Sequence, residues 1–199
     1  VVAKGPAPDY AGRYRYLLNT FPQLYELWHG SIDPVAPPIT SGQFRFAEIY
    51  YLCEGRRRLH AYTDTIGYGW LLGDWCAAGK VDFRQPSGQA NQSAQLRKVI
   101  HTQTGSPATN PNDWYDFEVR VENGNYLVSA EVGDAYSATA QRVEFEGEDA
   151  GSYELASGQL QWTSALTVPV SDGRLTVRIH LQNASTSAGL RNLHFQKVE

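Results

Sequence analysis

The chain has few charged side chains and no excess of positive charge. Only 19% of its 199 residues are charged, and the formal net charge at pH 7 is -4. A sequence pI near 5.7 gives no basic footprint for a phosphate backbone, so nucleic acid is not an expected partner. The same composition gives no support for binding to a membrane surface. No apolar run approaches the roughly 20 residues that cross a bilayer as a helix.

Cysteine is also scarce, since Cys53 and Cys76 are the only two. Neither lies in a Cys-x-x-Cys pair or in a cluster with histidine, so a metal or redox site is not indicated. Two cysteines in a chain of otherwise extracellular character predict a single disulfide, with two buried free thiols as the alternative. We therefore expect a protein that is secreted or held at the cell surface.

Signatures of catalysis are missing. The sequence has no Gly-x-Ser-x-Gly elbow, phosphate loop, dinucleotide fingerprint or His-Glu-x-x-His motif. Structural roles are expected for the scattered histidines, His180 and His194 included. The carboxylates at 146, 148 and 149, or at 113 and 116, could serve glycoside hydrolysis or hold calcium. Any acidic surface offers such groups, so we predict no enzyme and no cofactor beyond a structural calcium, with the metal ligands unassigned.

What the chain does contain is an abundance of aromatic rings and glycine. It has 12 Tyr, 5 Trp and 18 Gly. Tyr and Trp combine a flat apolar ring with a polar edge, which suits ligands that are partly apolar and partly hydroxylated. Rings and glycines alternate in Gly67-Tyr-Gly-Trp70, and glycine lets a backbone or a ligand approach closely. This stretch is therefore a candidate binding segment.

Apolar and polar residues alternate along the run from Trp114 to Tyr136, which predicts two strands. Asn123-Gly124 between them is a strong hairpin signal, and Asp172-Gly173 predicts a second hairpin in the same way. Many short strands with frequent turns predict an all-β fold, an antiparallel β-sandwich of jelly-roll type. Further strands are predicted at 44–52, 96–101, 142–146, 158–163 and 193–195, with loops at 84–94 and 103–113.

The basic run Arg56-Arg57-Arg58 has two interpretations. Three adjacent arginines could contact an acidic sugar, but we predict the more frequent outcome, a solvated turn.

Residues 1–42 differ from the rest of the chain. Prolines cluster at both ends of this segment, and large apolar residues between them recur at helical spacing until Pro22 interrupts the pattern. We predict a partly helical or extended N-terminal segment that packs on the sandwich of residues 43–199 or on a neighbouring molecule, because so many apolar groups are costly to leave in water.

The run from Val121 to Asp134 resembles the strand-turn-strand motif of malectin-like, galactose-binding-type β-sandwich domains. Gly67–Trp70 and Val168–Leu175 are similar to two further elements, in the same order, of accessory domains attached to bacterial polysaccharide-degrading enzymes, such as those preceding rhamnogalacturonan acetylesterases. The resemblance covers roughly residues 43–199. It implies noncatalytic binding of a polysaccharide or oligosaccharide beside a catalytic domain. The candidate carbohydrate-binding residues are Tyr68, Trp70, Asp74, Trp75, Asp134 and Tyr136.

A second hypothesis is structural. The proline-flanked segment 1–42 could add to a neighbour's sheet edge, which would make the chain a subunit of a cell-surface or filamentous assembly. Asn91-Gln-Ser and Asn183-Ala-Ser match the N-glycosylation triplet, which suits either hypothesis outside the cell. A small hydrolase is the last of the three hypotheses, because the sequence pattern shows no nucleophile with a base.

Overall fold

A computed structural model describes residues 35–46, 50–53, 56–59, 61–72, 93–101, 107–182 and 187–199. In these ranges the chain forms fifteen β-strands and no helix. The part of the chain that is described therefore contains no helix that could cross a membrane. The strands are β1 Ser41–Arg45, β2 Tyr50–Cys53, β3 Arg56–Leu59, β4 Tyr68–Trp70, β5 Ala94–Leu96, β6 Val99–His101, β7 Pro107–Thr109, β8 Trp114–Arg120, β9 Gly124–Gly133, β10 Thr139–Phe145, β11 Glu148–Leu155, β12 Leu160–Trp162, β13 Leu166–Val170, β14 Arg174–Leu181 and β15 Ala188–Val198.

Two antiparallel sheets make up the body of the molecule. One has five strands in the order β11-β10-β14-β8-β4. The other has six strands in the order β1-β15-β9-β12, with β13 also paired to β9 and β5 to β15. The strand pairs β2–β3 and β6–β7 form two small separate sheets. The prediction of an all-β antiparallel sandwich is confirmed.

The core lies between the two large sheets and is built by alternation. On β8, Phe117 and Val119 are fully buried, and on β9 Tyr126, Val128 and Ala130 are fully buried. Successive side chains of a strand point to opposite faces, so each sheet turns one apolar face inward. Burial of each large side chain stabilises the fold by about 1.5 to 3 kcal/mol.

Both predicted hairpins are wrong, because their strands belong to different sheets. β8 pairs with β14 and β4, whereas β9 pairs with β15, β12 and β13. Asn123-Gly124 therefore carries the chain across the sandwich, and Asp172-Gly173 does the same between β13 and β14. The two connections are joined by hydrogen bonds from Val121 N to Gly173 O and from Asn123 Nδ2 to Ser171 O, both 2.9 Å.

The tight hairpin in this region is the one between β10 and β11. Its turn residues Glu146 and Gly147 have φ angles of +51° and +84°, as a two-residue turn of type I′ requires. The pattern along β11 predicted no strand, because Gly151 and Ser152 interrupt it and only Ala150 is fully enclosed.

Three smaller predictions also need correction. The run Arg56–Arg58 lies in β3, paired with β2, so the prediction of a turn is wrong. The single strand predicted at 96–101 is two strands, β5 and β6, and β7 lies within a predicted loop. These segments are short, and pairing with a partner strand decides their conformation more than local propensity does.

The N-terminal segment is described only from residue 35. Ala36 N donates to Asp64 O (2.8 Å) and Ile39 N donates to Arg120 O (3.2 Å), so residues 35–40 lie along the sandwich. The predicted helical part falls on residues 1–34, outside the described residues, and the division at residue 42 stays a prediction. The disulfide also stays a prediction, because Cys76 lies outside the described residues.

Candidate functional site

Two of the predicted site residues, Tyr68 and Trp70, lie together on β4 and face inward. Their strand partners are Val119 and Phe117, both core residues. The Tyr68 ring lies 4.9 Å from the ring of Phe44, and burial raises the pKa of its hydroxyl. Trp70 is 1% exposed, so neither face of its ring is open to stack on a sugar. β4 thus places its two rings in or against the core and turns Gly69 outward.

Asp134 and Tyr136 lie together in the loop after β9, and they have different roles. Asp134 is fully buried. Its Oδ1 accepts hydrogen bonds from the backbone N–H of Tyr136 and of Ser137 and from Gln95 Nε2, each 2.9 Å long. Tyr136 is 51% exposed. Asp134 therefore holds the loop that presents the Tyr136 ring. The other two predicted residues, Asp74 and Trp75, lie outside the described residues.

A cavity of about 380 Å³ opens at the start of β8, beside the end of β4. Trp70 forms part of its wall, and the indole N–H of Trp70 is buried without a hydrogen-bond partner among the described residues. A buried donor without a partner costs free energy. The cavity is lined by Ala61, Tyr62, Trp70, Leu71, Leu72, Asn110, Asn112, Trp114, Tyr115 and Asp116.

Trp114 is held in place at the cavity by an ion pair. Arg178 Cζ lies 4.9 Å from the centroid of the Trp114 ring. The guanidinium is fixed in turn by Asp116, with Nε to Oδ1 at 2.7 Å and Nη2 to Oδ2 at 2.8 Å. Such a bidentate pair is both strong and directional. One face of the ring is thus covered by a cation that cannot easily move.

Tyr62 is held by a similar arrangement. Arg174 Cζ lies 4.7 Å from the centroid of the Tyr62 ring, and Arg174 Nη1 donates to Glu118 Oε2 at 2.8 Å. Burial raises the pKa of the Tyr62 hydroxyl, and the adjacent Asp64 raises it further against the lowering effect of Arg174. The backbone of Tyr62 packs directly on Gly69, where a Cβ would lie 2.4 Å from Tyr62 N.

Two asparagines shape the polar side of the cavity. Asn110 is buried, and its Nδ2 donates to the carbonyl of Trp114 at 3.0 Å while its Oδ1 accepts from Asn112 N at 2.9 Å. The side chain of Asn112 is exposed. Sequence reasoning missed these residues, because 103–113 was predicted to be a loop. The available signal was Asn110-Pro-Asn-Asp-Trp114, which places amides directly before a strand that begins with tryptophan.

Several of the carboxylates that the sequence offered for catalysis or calcium have structural partners. Asp116 is paired with Arg178, and the side chain of Glu146 accepts from Thr176 N. Asp149 Oδ1 accepts from Gly151 N at 3.0 Å within β11. Within the described ranges, no three His, Cys, Asp or Glu side chains group closely enough to hold a metal ion. The cavity is lined by aromatic rings, two asparagines and Asp116.

Comparison with known proteins identifies no family. No family model matches the chain, and no curated protein sequence matches it. Protein YxiM of Bacillus subtilis is similar over 70% of this chain and 34% of its own, at 21% identity and a TM-score of 0.42. A Podospora anserina GH26-CBM35 β-(1,4)-mannanase is similar over 80% of this chain and 28% of its own, at 12% identity and a TM-score of 0.38.

The carbohydrate-binding module CBM36, solved with calcium and xylotriose, is similar over 78% of this chain and 99% of its own, at 9% identity and a TM-score of 0.37. All three TM-scores lie below 0.5, so these likenesses carry no conclusion about this chain. The two antiparallel sheets by themselves define its class, a β-sandwich protein.

Proposed function

We propose that this protein is a noncatalytic carbohydrate-binding domain and that its site is the cavity at the start of β8. The observation that supports this function best is the lining itself. Two rings, Tyr62 and Trp114, line the cavity together with the exposed Asn112. Sugars present apolar C–H faces that pack on such rings and hydroxyls that bond to such groups.

The rings are positioned before any ligand arrives. Each has an arginine over one face, and each arginine is held by a carboxylate on β8, Asp116 or Glu118. A ligand that meets fixed side chains loses less free energy to ordering them, which favours binding. Arg174 and Arg178 are already neutralised by these pairs, so the cavity suits a neutral sugar.

The candidate site residues that the sequence predicted have different roles in the proposed site from those expected. Trp70 forms part of the cavity wall rather than a stacking platform, and Tyr68 supports the wall from inside the sandwich. Asp134 positions the loop of Tyr136, whose exposed ring is at the same end of the sandwich as Trp114. Asp74 and Trp75 follow Leu72 closely along the chain, and Leu72 lines the cavity, so both remain candidate ligand contacts.

Three wider expectations belong to the same proposal. The protein acts outside the cell, where a Cys53–Cys76 disulfide would form. It holds a polysaccharide near a catalytic domain of the same or a neighbouring chain. A structural calcium remains compatible with it. The alternative of a subunit of a cell-surface or filamentous assembly rests on residues 1–42, of which 1–34 lie outside the described residues.

Native affinity electrophoresis tests the proposed function. The protein is run in gels that contain soluble xylan, galactomannan or rhamnogalacturonan, and its retardation is compared with that of Trp114→Ala and Tyr62→Ala. We expect at least one polysaccharide to retard the wild type and each substitution to weaken binding about tenfold or more, as loss of an aromatic anchor does. Leu127→Ala, an exposed residue on the opposite sheet, is the control. Variants that bind as tightly as the wild type would contradict this site.

A further inference from the structure

Trp162 is exposed on the outer face of the six-stranded sheet. Trp162 on β12 is 42% exposed, and its ring centroid lies 4.7 Å from that of His194 on β15. The backbone after it is fixed to β9, because Thr163 N donates to Ala130 O (2.8 Å) and Thr163 Oγ1 accepts from Ala130 N (3.1 Å). The exposed ring is thus carried by an anchored strand rather than by a free loop.

Polar groups lie in the same row of the sheet as this ring. Trp162 is the strand partner of Glu131 on β9, and Glu131 is in turn the partner of Asn192 on β15. Asn192 Nδ2 donates to Glu131 Oε2 at 2.6 Å, and Arg191 Nε lies 3.6 Å from the same oxygen. Both contacts reach Oε2, and no hydrogen bond from the described residues reaches Oε1, which is left to accept from a ligand hydroxyl.

The backbone of β15 is irregular at this row. The register of β15 against β9 shifts between Leu190 and Asn192, so Arg191 is an extra residue in the strand. A bulge of this kind re-aims side chains and is frequent beside functional sites. Here it brings two consecutive polar side chains, Arg191 and Asn192, to one carboxylate.

The size and charge of the row decide what it fits. Adjacent strands lie about 4.8 Å apart, so the row from Trp162 to Asn192 spans about 10 Å. A protein partner needs roughly 800 Å² on each side and an apolar centre, which one ring among polar groups does not supply. Glu131 and Arg191 balance each other's charge, so the row complements a neutral ligand with hydroxyl groups.

We propose that this row, Trp162 with Glu131, Arg191, Asn192 and His194, is a second carbohydrate-contact surface that stacks a neutral pyranose of a polysaccharide on Trp162. It is distinct from the cavity at β8. The ring of Phe44 on β1 meets that of Tyr68 on β4, so the β1 and β4 edges of the two sheets lie together, whereas β12 lies at the opposite edge. One protein molecule would therefore contact a polysaccharide at two places.

Trp162→Ala and Trp162→Phe, made in the full chain, test this surface in the same three affinity gels. We expect Trp162→Ala to weaken binding about tenfold and Trp162→Phe to retain most of it, because phenylalanine keeps a ring on the strand. Leu127 is also exposed and lies on the same face of β9 as Glu131. The control variant Leu127→Ala should therefore bind as the wild type does. The double variant Trp114→Ala/Trp162→Ala should bind more weakly than either single variant.

The single and double variants distinguish the second surface from the cavity. If Trp162→Ala weakens binding while Trp114→Ala and Tyr62→Ala do not, the row is the binding surface and the cavity is not. If Trp162→Ala binds as the wild type does, and the double variant binds no more weakly than Trp114→Ala alone, the second surface is refuted, while a loss of binding in Trp114→Ala still supports the cavity. A wild-type protein that none of the three polysaccharides retards counts against both.

Discussion

The outer faces of the two sheets use aromatic rings in different ways. On the five-stranded side, Trp114 and Tyr62 each lie under an arginine that a carboxylate holds in place. On the six-stranded side, Trp162 is 42% exposed and, among the described residues, no cation lies over its ring. Paired charges fix a ring in one orientation, whereas an open ring stays available on its free face. The rings on the five-stranded side are therefore held in a fixed orientation, whereas the ring on the six-stranded side is more accessible to a ligand.

The largest expected effect separates the buried tryptophan from the open one. Trp70→Ala removes a side chain that is 1% exposed and should lower the free energy of unfolding by about 3 to 5 kcal/mol. Trp162→Ala removes a side chain that already meets water and should cost less than about 1 kcal/mol. Urea denaturation of both variants measures the difference. Equal losses would mean that the ring of Trp162 is part of the stabilising core.

Substitution of Gly69 should have the second largest effect on stability, because the backbone of Tyr62 packs directly against it. A Cβ at Gly69 would lie within 2.6 Å of backbone atoms of Ala61 and Tyr62, at a φ of +149°. We expect Gly69→Ala to cost about 2 to 4 kcal/mol and to weaken polysaccharide binding, since Tyr62 must move. Gly147→Ala is the control, because its φ is +84° and its Cβ would meet nothing within 4 Å. It should cost only about 1 kcal/mol of backbone strain and leave retardation unchanged.

Removing one carboxylate from each face compares the two sets of contacts directly. The side chains of Asp116 and Glu131 are 13% and 17% exposed, so their surroundings are alike in burial. Asp116→Ala breaks a bidentate pair and should cost about 1 to 2 kcal/mol, while also freeing Arg178 from its place over Trp114. Glu131→Ala breaks one short hydrogen bond and one long contact and should cost about 0.5 to 1 kcal/mol. A larger loss of unfolding free energy for Glu131→Ala than for Asp116→Ala, measured by chemical denaturation, would contradict this ranking of the two sets of contacts.

The smallest expected effects are the pH dependences of two glutamates on one hairpin. Burial alone would raise the pKa of Glu144, but contacts with His180 and Arg142 outweigh burial and hold that pKa below the ordinary value of 4.5. Its stabilisation is therefore present above pH 4.5 and is lost as pH falls through the lowered pKa. Glu144→Gln should flatten the loss of stability in acid.

Glu146 should show the opposite sign. Burial raises its pKa above 4.5, against the lowering effect of the Thr176 N–H. Its contribution is present below pH 4.5 and is lost as pH rises through the raised pKa. Glu146→Gln keeps an oxygen that accepts from Thr176 and should flatten that loss. Unfolding free energies measured from pH 3 to 7 should differ from the wild type by less than about 1 kcal/mol for each variant, and equal slopes in the two variants would contradict both assignments.

Much of the strand content could be predicted from alternation, because a strand with one buried face has a side-chain period of two. Phe117, Val119, Val128 and Leu175 occupy apolar positions of this alternation, and all are fully buried. The pairing of those strands could not be predicted. Alternation says which side of a strand is apolar and is silent on which strand lies beside it. Asn123-Gly124 therefore served equally well for a hairpin and for the crossing between sheets that the structure contains.

The sequence predicted the strand beside the candidate site, but it did not predict most of the residues that form the site. Glycines next to rings pointed to β4, where Gly69 does allow a close backbone approach. Tyr62, Trp114 and Trp162 were not among the predicted site residues, whereas Trp70, which lines the cavity, and Tyr136, which is exposed, were. Exposure of a ring depends on which face of its strand turns outward and on what covers it, and both depend on residues far away in the chain.

The sequence by itself determined that this protein is an all-β sandwich with apolar inner faces, because burial of alternating side chains follows from local pattern and solvent. Its glycines also determined most of the positions where positive φ angles and close approaches could occur, with Glu146 the exception among the described residues. The tertiary structure decided which strands pair, which tryptophan is buried and which is open, and which carboxylates hold arginines over rings. Those outcomes depend on contacts between strands distant in sequence, and the free energy of such contacts is set only when the two sheets come together.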